Sequence, residues 1–97
     1  MKRYYILFKG QVQGVGFRYT AQMLAKKHDL TGWVRNLDDG DVDMEVQGDE
    51  MEIHKMIRSL YTSSRWIRID NHFMKEKPLV DGERSFRSIY GGRDYYF

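Results

Sequence analysis

The chain has 97 residues, of which 41% are hydrophobic, and its 16 Lys and Arg against 14 Asp and Glu give a formal net charge of +2. A chain of this length predicts one domain, 1–97, with a modest core and no room for a second catalytic domain. The small charge is not typical of a nucleic-acid-binding protein, and the lack of cysteine excludes disulfides, thiolate nucleophiles and cysteine-ligated metal centres.

The first predicted strand covers residues 3–12. Apolar residues of one parity mark its buried face: Tyr4, Ile6, Phe8 and Val12. Lys9 interrupts this apolar run far too early for a signal peptide or a membrane span. We therefore expect a soluble, cytoplasmic protein.

The first predicted helix begins at Phe17 and ends near His28 and Asp29. Its apolar residues recur at the spacing of one helical face: Phe17, Ala21, Leu24 and Ala25. Residues 31–37 are rich in strand formers and lead into Asp39-Gly40, a favourable hairpin turn.

The strand that returns from this hairpin ends at Gly48. Its alternation of apolar and polar residues predicts one buried face and one solvated face. Asp49 and Glu52 then fit the start of a capped second helix. The apolar face of that helix consists of Ile53, Met56, Ile57 and Leu60.

Two further strands complete the predicted fold, one at residues 66–73 and a short one at residues 86–90. The element order is βαββαβ with an additional short C-terminal strand. This order predicts an α+β, ferredoxin-like sandwich, in which an antiparallel sheet carries both helices on one face. The sequence favours no particular structure for the tail, residues 91–97.

The connection from the first strand to the first helix reads Gly10-Gln11-Val12-Gln13-Gly14-Val15-Gly16-Phe17-Arg18. Its glycines allow backbone N–H groups to converge on an anion, and the following helix offers its unpaired N-terminal donors. A guanidinium can bind two oxygens of such an anion at once. The segment therefore predicts a phosphate site, although the same glycines would also serve a tight turn. It lacks the lysine and hydroxyl of a Walker A loop, which argues against an ATPase.

This loop is followed by Gly32-Trp33-Val34-Arg35-Asn36 and then Asp39-Gly40, and together these segments resemble the acylphosphatase family. The resemblance extends over about residues 3–90. It implies a stand-alone enzyme that hydrolyses small acyl phosphates without a cofactor or a metal ion.

The resemblance also implies roles for individual residues. The phosphate would be held by the loop residues Gln13, Gly14, Val15, Gly16, Phe17 and Arg18. Asn36 would position the attacking water, and Arg18 and Asn36 would be the catalytic residues. An acyl phosphate already has a good leaving group, so this reaction needs placement and charge stabilisation more than a strong base.

Two other functions remain as alternatives. The first is an acylphosphatase-like domain that binds acyl or carbamoyl phosphate with little turnover, as at the start of larger hydrogenase-maturation proteins; the chain length favours the free-standing enzyme. The second is an RNA-recognition module, which shares the βαββαβ order. Residues 41–48 argue against it, because they include Asp and Glu and no aromatic side chain. We expect a monomer with no nucleic-acid or membrane partner.

Several other polar residues are predicted to be solvated. The three histidines show no metal-ligand spacing, and the acidic residues at 38–43 lack the spacing of a calcium loop and are predicted to form a solvated hairpin. Arg35 shares its strand parity with Trp33, and we expect it to face solvent, outside the site.

Overall fold

The computed structural model describes residues 1–90, and all the predicted elements are present in the predicted order. They are β1 (Lys2–Gln11), α1 (Phe17–Lys27), β2 (Thr31–Asn36), β3 (Val42–Gly48), α2 (Glu50–Thr62), β4 (Arg68–Lys77) and β5 (Phe86–Ser88). The bounds of the fourth strand differ most from the prediction, since it begins and ends later than residues 66–73. The predicted tail, residues 91–97, lies outside the described residues.

The five strands form one sheet in the order β4-β1-β3-β2-β5. The first four strands pair antiparallel, whereas β5 runs parallel to β2. The predicted ferredoxin-like α+β fold is confirmed, but the sheet is mixed rather than wholly antiparallel. This difference arises because the chain crosses from the β4 edge to the opposite edge before β5 begins.

The main core lies between the two helices and one face of the sheet. Residues with no exposed surface include Ile6, Phe8, Val34, Met44, Ile53 and Leu60. The start of α2 matches the prediction, because the Asp49 carboxylate accepts hydrogen bonds from the N–H groups of Met51 and Glu52 at 2.9 and 3.3 Å.

On β1, β2 and β3 the opposite face of the sheet is also largely buried, which corrects the prediction of a solvated face. A second buried cluster lies there, formed by Tyr5, Leu7 and Leu37. Asp43 has no exposed surface, and its carboxylate accepts hydrogen bonds from the Arg35 guanidinium at 2.8 and 3.0 Å. Arg35 does share a face with Trp33, 5.2 Å from its ring centroid. It is only 2% exposed, so the prediction that it is solvated was wrong.

The segment 78–85 carries the chain between the two edges of the sheet. The Arg3 guanidinium on β1 donates to the Glu83 carboxylate at 2.8 and 3.3 Å. The Gln47 side chain on β3 exchanges hydrogen bonds with the backbone of Val80 at 2.9 and 3.0 Å. These bonds hold the segment against the sheet, and the segment places β5 beside β2.

Candidate active site

The loop 13–18 joins β1 to α1 and turns through two left-handed glycines. Gly14 and Gly16 have φ values of 72° and 81°, and a Cβ atom at either position would meet nothing within 4 Å. The glycines are therefore required for the direction of the backbone and not for space. Other L-residues pay about 1–2 kcal/mol for this left-handed conformation.

The N terminus of α1 has no side-chain cap. Gly16 occupies the cap position, and the bond from the Thr20 N–H to the Gly16 carbonyl, at 3.0 Å, opens the helix. The N–H groups of residues 14–19 donate to no acceptor within residues 1–90, and the first helical turn contains no acidic side chain. Free N–H groups at the positive end of a helix dipole favour an anion.

These donors border a cleft of about 310 Å³ that also includes Arg18 and Asn36. Arg18 lies in the first turn of α1, and its Nη1 atom is 3.4 Å from the Oγ atom of Ser88 on β5. Asn36 is the last residue of β2. Its side-chain amide has no hydrogen-bond partner in the described part of the chain. The cleft thus offers N–H donors, a guanidinium and an uncommitted amide.

The predicted site residues that line this cleft are Gly14, Gly16, Phe17, Arg18 and Asn36. Gln13 and Val15 do not line it, and Val15 packs against the main core. The Gln13 side chain donates from Nε2 to the carbonyls of Leu37 and Asp41, at 2.7 and 2.8 Å. These two residues close the mouth of the β2–β3 hairpin, so Gln13 ties the loop to the residue next to Asn36.

A buried ion pair holds the same end of β2 from the other face of the sheet. Arg35 and Asp43 are direct register partners on β2 and β3, and the Tyr5 hydroxyl donates to the Asp43 carboxylate at 2.7 Å. Hydrogen bonds of this kind are strong in a low-dielectric interior. Asn36 therefore follows a residue that is fixed in position.

The titratable side chains of residues 1–90 form no group of three or more that could hold a metal ion. Neither helix in this part of the chain is long and apolar enough to cross a membrane.

Comparison with known proteins identifies the family. The acylphosphatase family model matches residues 4–88. The chain belongs to the acylphosphatase family. An acylphosphatase of Geobacillus thermodenitrificans is 39% identical to it over 92 residues, which are 95% of this chain and 98% of the relative. Among solved structures, acylphosphatase from Bacillus subtilis matches with a TM-score of 0.86 and 36% identity, over 93% of this chain and 100% of the other.

The same family fold also matches a small part of a larger protein. The structure of HypF from T. kodakarensis matches with a TM-score of 0.80 and 38% identity, over 92% of this chain but only 12% of the HypF chain.

The contribution of Ser88 on β5, and of Tyr90 just after it, to the cleft of this acylphosphatase-family chain is absent from the sequence-based prediction. Ser88 contacts Arg18, and Tyr90 lies at the rim with 93% of its surface exposed. Gln22 also lines the cleft, and it could have been found, because it lies one helical turn after Arg18. No local pattern indicates Ser88, since only the parallel pairing of β5 with β2 brings it to α1.

Proposed function

We propose that this protein is an acylphosphatase, which hydrolyses acyl phosphates to a carboxylate and inorganic phosphate. The observation that carries the proposal is the convergence of three features on one cleft: the uncapped N terminus of α1, the Arg18 guanidinium and the Asn36 amide. The family match and the relatives named acylphosphatase support the same activity.

The phosphoryl group binds to the backbone N–H groups of the loop 13–18 and to Arg18. A guanidinium presents parallel donors that match two phosphoryl oxygens. The transferring group carries its charge on three equatorial oxygens, and donors that are already in place stabilise that charge without reorganisation. Ser88, at hydrogen-bond distance from Arg18, helps to hold the guanidinium toward the cleft.

The attacking water is positioned by Asn36. The amide oxygen accepts a hydrogen bond from the water, and the amide nitrogen donates to the phosphoryl group. The water oxygen bonds to phosphorus while the bond from phosphorus to the acyl oxygen breaks, and the carboxylate leaves with the electron pair. An amide is not a base at neutral pH, so the water proton passes to the substrate phosphate or to bulk water. Positioning supplies the catalysis because the leaving group is already good.

Hydrolysis of benzoyl phosphate in the presence of EDTA tests the proposal. Wild type should turn over the substrate without a metal ion, and Arg18→Ala and Asn36→Ala should each lose at least about 100-fold in kcat/KM. Arg58→Ala and Asn71→Ala are matched controls, because both residues are exposed and lie outside the cleft. Circular dichroism should show that all four variants are folded.

This experiment tests phosphate binding by Arg18 and water positioning by Asn36 separately. A folded Arg18→Ala with wild-type kcat and KM would contradict the phosphate site. A folded Asn36→Ala with normal turnover would remove the water-positioning role alone.

A second candidate function is binding of an acyl or carbamoyl phosphate with little turnover. The match to a small part of HypF favours this candidate, because the same fold occurs there within a larger chain. The assay above, together with a titration of wild type and Arg18→Ala with inorganic phosphate, separates the two functions: a binding module would bind inorganic phosphate through Arg18 but release no benzoate above the uncatalysed rate.

We further propose that the protein acts as a cytoplasmic monomer that needs no cofactor. The lack of cysteine is compatible with a reducing compartment, and the proposed chemistry takes every group from one chain. Light scattering at assay concentration should give the mass of a single chain, 11.6 kDa.

A further inference from the structure

A second depression, of about 510 Å³, adjoins the phosphate cleft between α1 and the start of β5. Lys26 and Arg84 contribute its cationic groups, and Leu30 and Phe86 contribute apolar surface. Gln22 lines both the depression and the cleft. A molecule bound in the cleft can therefore extend into the depression.

The two elements that border the cleft continue along this depression. On α1, Arg18, Gln22 and Lys26 are spaced four residues apart and share one helical face. On the other wall, Phe86 and Ser88 are spaced two residues apart and share one side of β5. A groove thus runs from the phosphate site toward Lys26.

The far end of the groove has a net positive charge. Lys26 and Arg84 form no ion pair with any residue in 1–90, and Asp29 adds one carboxylate to the lining against these two cations. The carbonyls of residues 24–26 near the end of α1 already accept hydrogen bonds from the N–H groups of residues 28–30, so the Lys26 side chain is not needed to satisfy these three carbonyls. Two cations on opposite walls can bind one anion between them.

We propose that this depression binds a second anionic group of the substrate, at the distal end of the acyl chain. The proposal rests on the proposed function, because the phosphoryl end must occupy the cleft at Arg18. Lys26 lies about 12 Å from Arg18 along the helix axis, from a rise of 1.5 Å per residue. The substrate class is therefore an acyl phosphate with several carbons between the phosphoryl group and a second carboxylate or phosphate. Leu30 and Phe86 contact those carbons.

Calorimetric titration with ω-phosphonoalkanoates tests this subsite without turnover. Each compound is compared with the alkylphosphonate of the same chain length, which lacks the distal anion. The wild type should bind the best-fitting ω-phosphonoalkanoate at least about fivefold more tightly. Lys26→Ala and Arg84→Ala should each lose most of that preference, and high salt should reduce it. Lys27→Ala and Arg87→Ala are controls that remove the same charge outside the depression. Both should keep the preference for the ω-phosphonoalkanoate.

Each outcome decides between the two proposals. Equal binding of the two phosphonates by wild type would overturn the subsite and leave the phosphate site intact. The subsite would also be overturned if Lys26→Ala and Arg84→Ala both kept the preference for the ω-phosphonoalkanoate. The same conclusion would follow if the two control variants lost that preference equally. If neither phosphonate binds, the phosphate site at Arg18 fails, and the subsite fails with it.

Discussion

Replacing Gln13 with alanine would separate the phosphate loop from the hairpin that carries Asn36. The Gln13 amide nitrogen donates to the carbonyls of Leu37 and Asp41 at 2.7 and 2.8 Å, and the Gln13 side chain does not line the cleft. Its loss should therefore leave the phosphate donors in place and loosen the position of Asn36.

The loss of stability in Gln13→Ala depends on the hydrogen bonds that the two carbonyls keep. A net hydrogen bond contributes about 0.5–1.5 kcal/mol, and an orphaned buried acceptor costs more. Neither carbonyl is orphaned here, because Gly40 N–H donates to Leu37 at 3.2 Å and Leu37 N–H donates to Asp41 at 2.9 Å. We expect Gln13→Ala to lower the free energy of unfolding by about 1–2 kcal/mol. A small displacement of Asn36 should reduce kcat by about tenfold.

The assay compares kcat, the inhibition constant of inorganic phosphate and urea unfolding for Gln13→Ala. Gln11→Ala is the control, since it removes the same side chain at an exposed position on β1. The expected result is a lower kcat with an unchanged phosphate inhibition constant. A weakened phosphate affinity with normal kcat would show instead that the Gln13 side chain binds the phosphate, and would refute the reasoning.

Three further predictions follow from the same structure. Gly16→Ala, at φ 81°, should lose about 1–2 kcal/mol in urea unfolding and most of its activity; Gly82→Ala, at φ 76°, should lose similar stability but keep its kcat. Asp43→Ala breaks the buried ion pair with Arg35, so the free energy of unfolding should fall by about 3–5 kcal/mol in the same measurement. Burial lowers the pKa of His72 below its ordinary 6.5, so the unfolded state binds more protons there and stability should fall as pH decreases through that value. Urea unfolding of His72→Gln at about pH 7.5 and about pH 5.5 should show a smaller fall than wild type.

The element order and the main core follow from local patterns in the sequence. Helical spacing marks the buried face of α2, and the Asp49 side chain caps that helix as its position predicts. The glycines of the loop also indicate its backbone conformation, since Gly14 and Gly16 both adopt left-handed conformations. Each of these signals is contained in a few neighbouring residues, which is why the sequence alone reveals them.

The second buried face of the sheet could not be predicted in the same way. Alternating charges on β3 are typical of a solvated face, but here Asp43 is paired with Arg35 inside the protein. The segment 78–85 adds to this burial through contacts to Arg3 and Gln47. The segment has only two large apolar residues, Leu79 and Val80, and no periodic pattern, so its sequence does not show what it covers.

The local composition of the phosphate loop likewise does not reveal what its members contact. Gln13 lies within the predicted phosphate motif, yet its side chain binds the hairpin. Ser88 lies 70 residues after Arg18 in the chain and meets it only through the sheet. Contacts of this kind depend on topology, which becomes known only when the strands are paired.

The central claim is that water, positioned by Asn36, attacks phosphorus held at the loop 13–18. Hydrolysis of benzoyl phosphate in heavy-oxygen water, followed by mass spectrometry of both products, tests this most directly. We predict that the labelled oxygen appears in the inorganic phosphate and not in the benzoate. Label in the benzoate would show attack at the acyl carbon and would contradict the proposed mechanism.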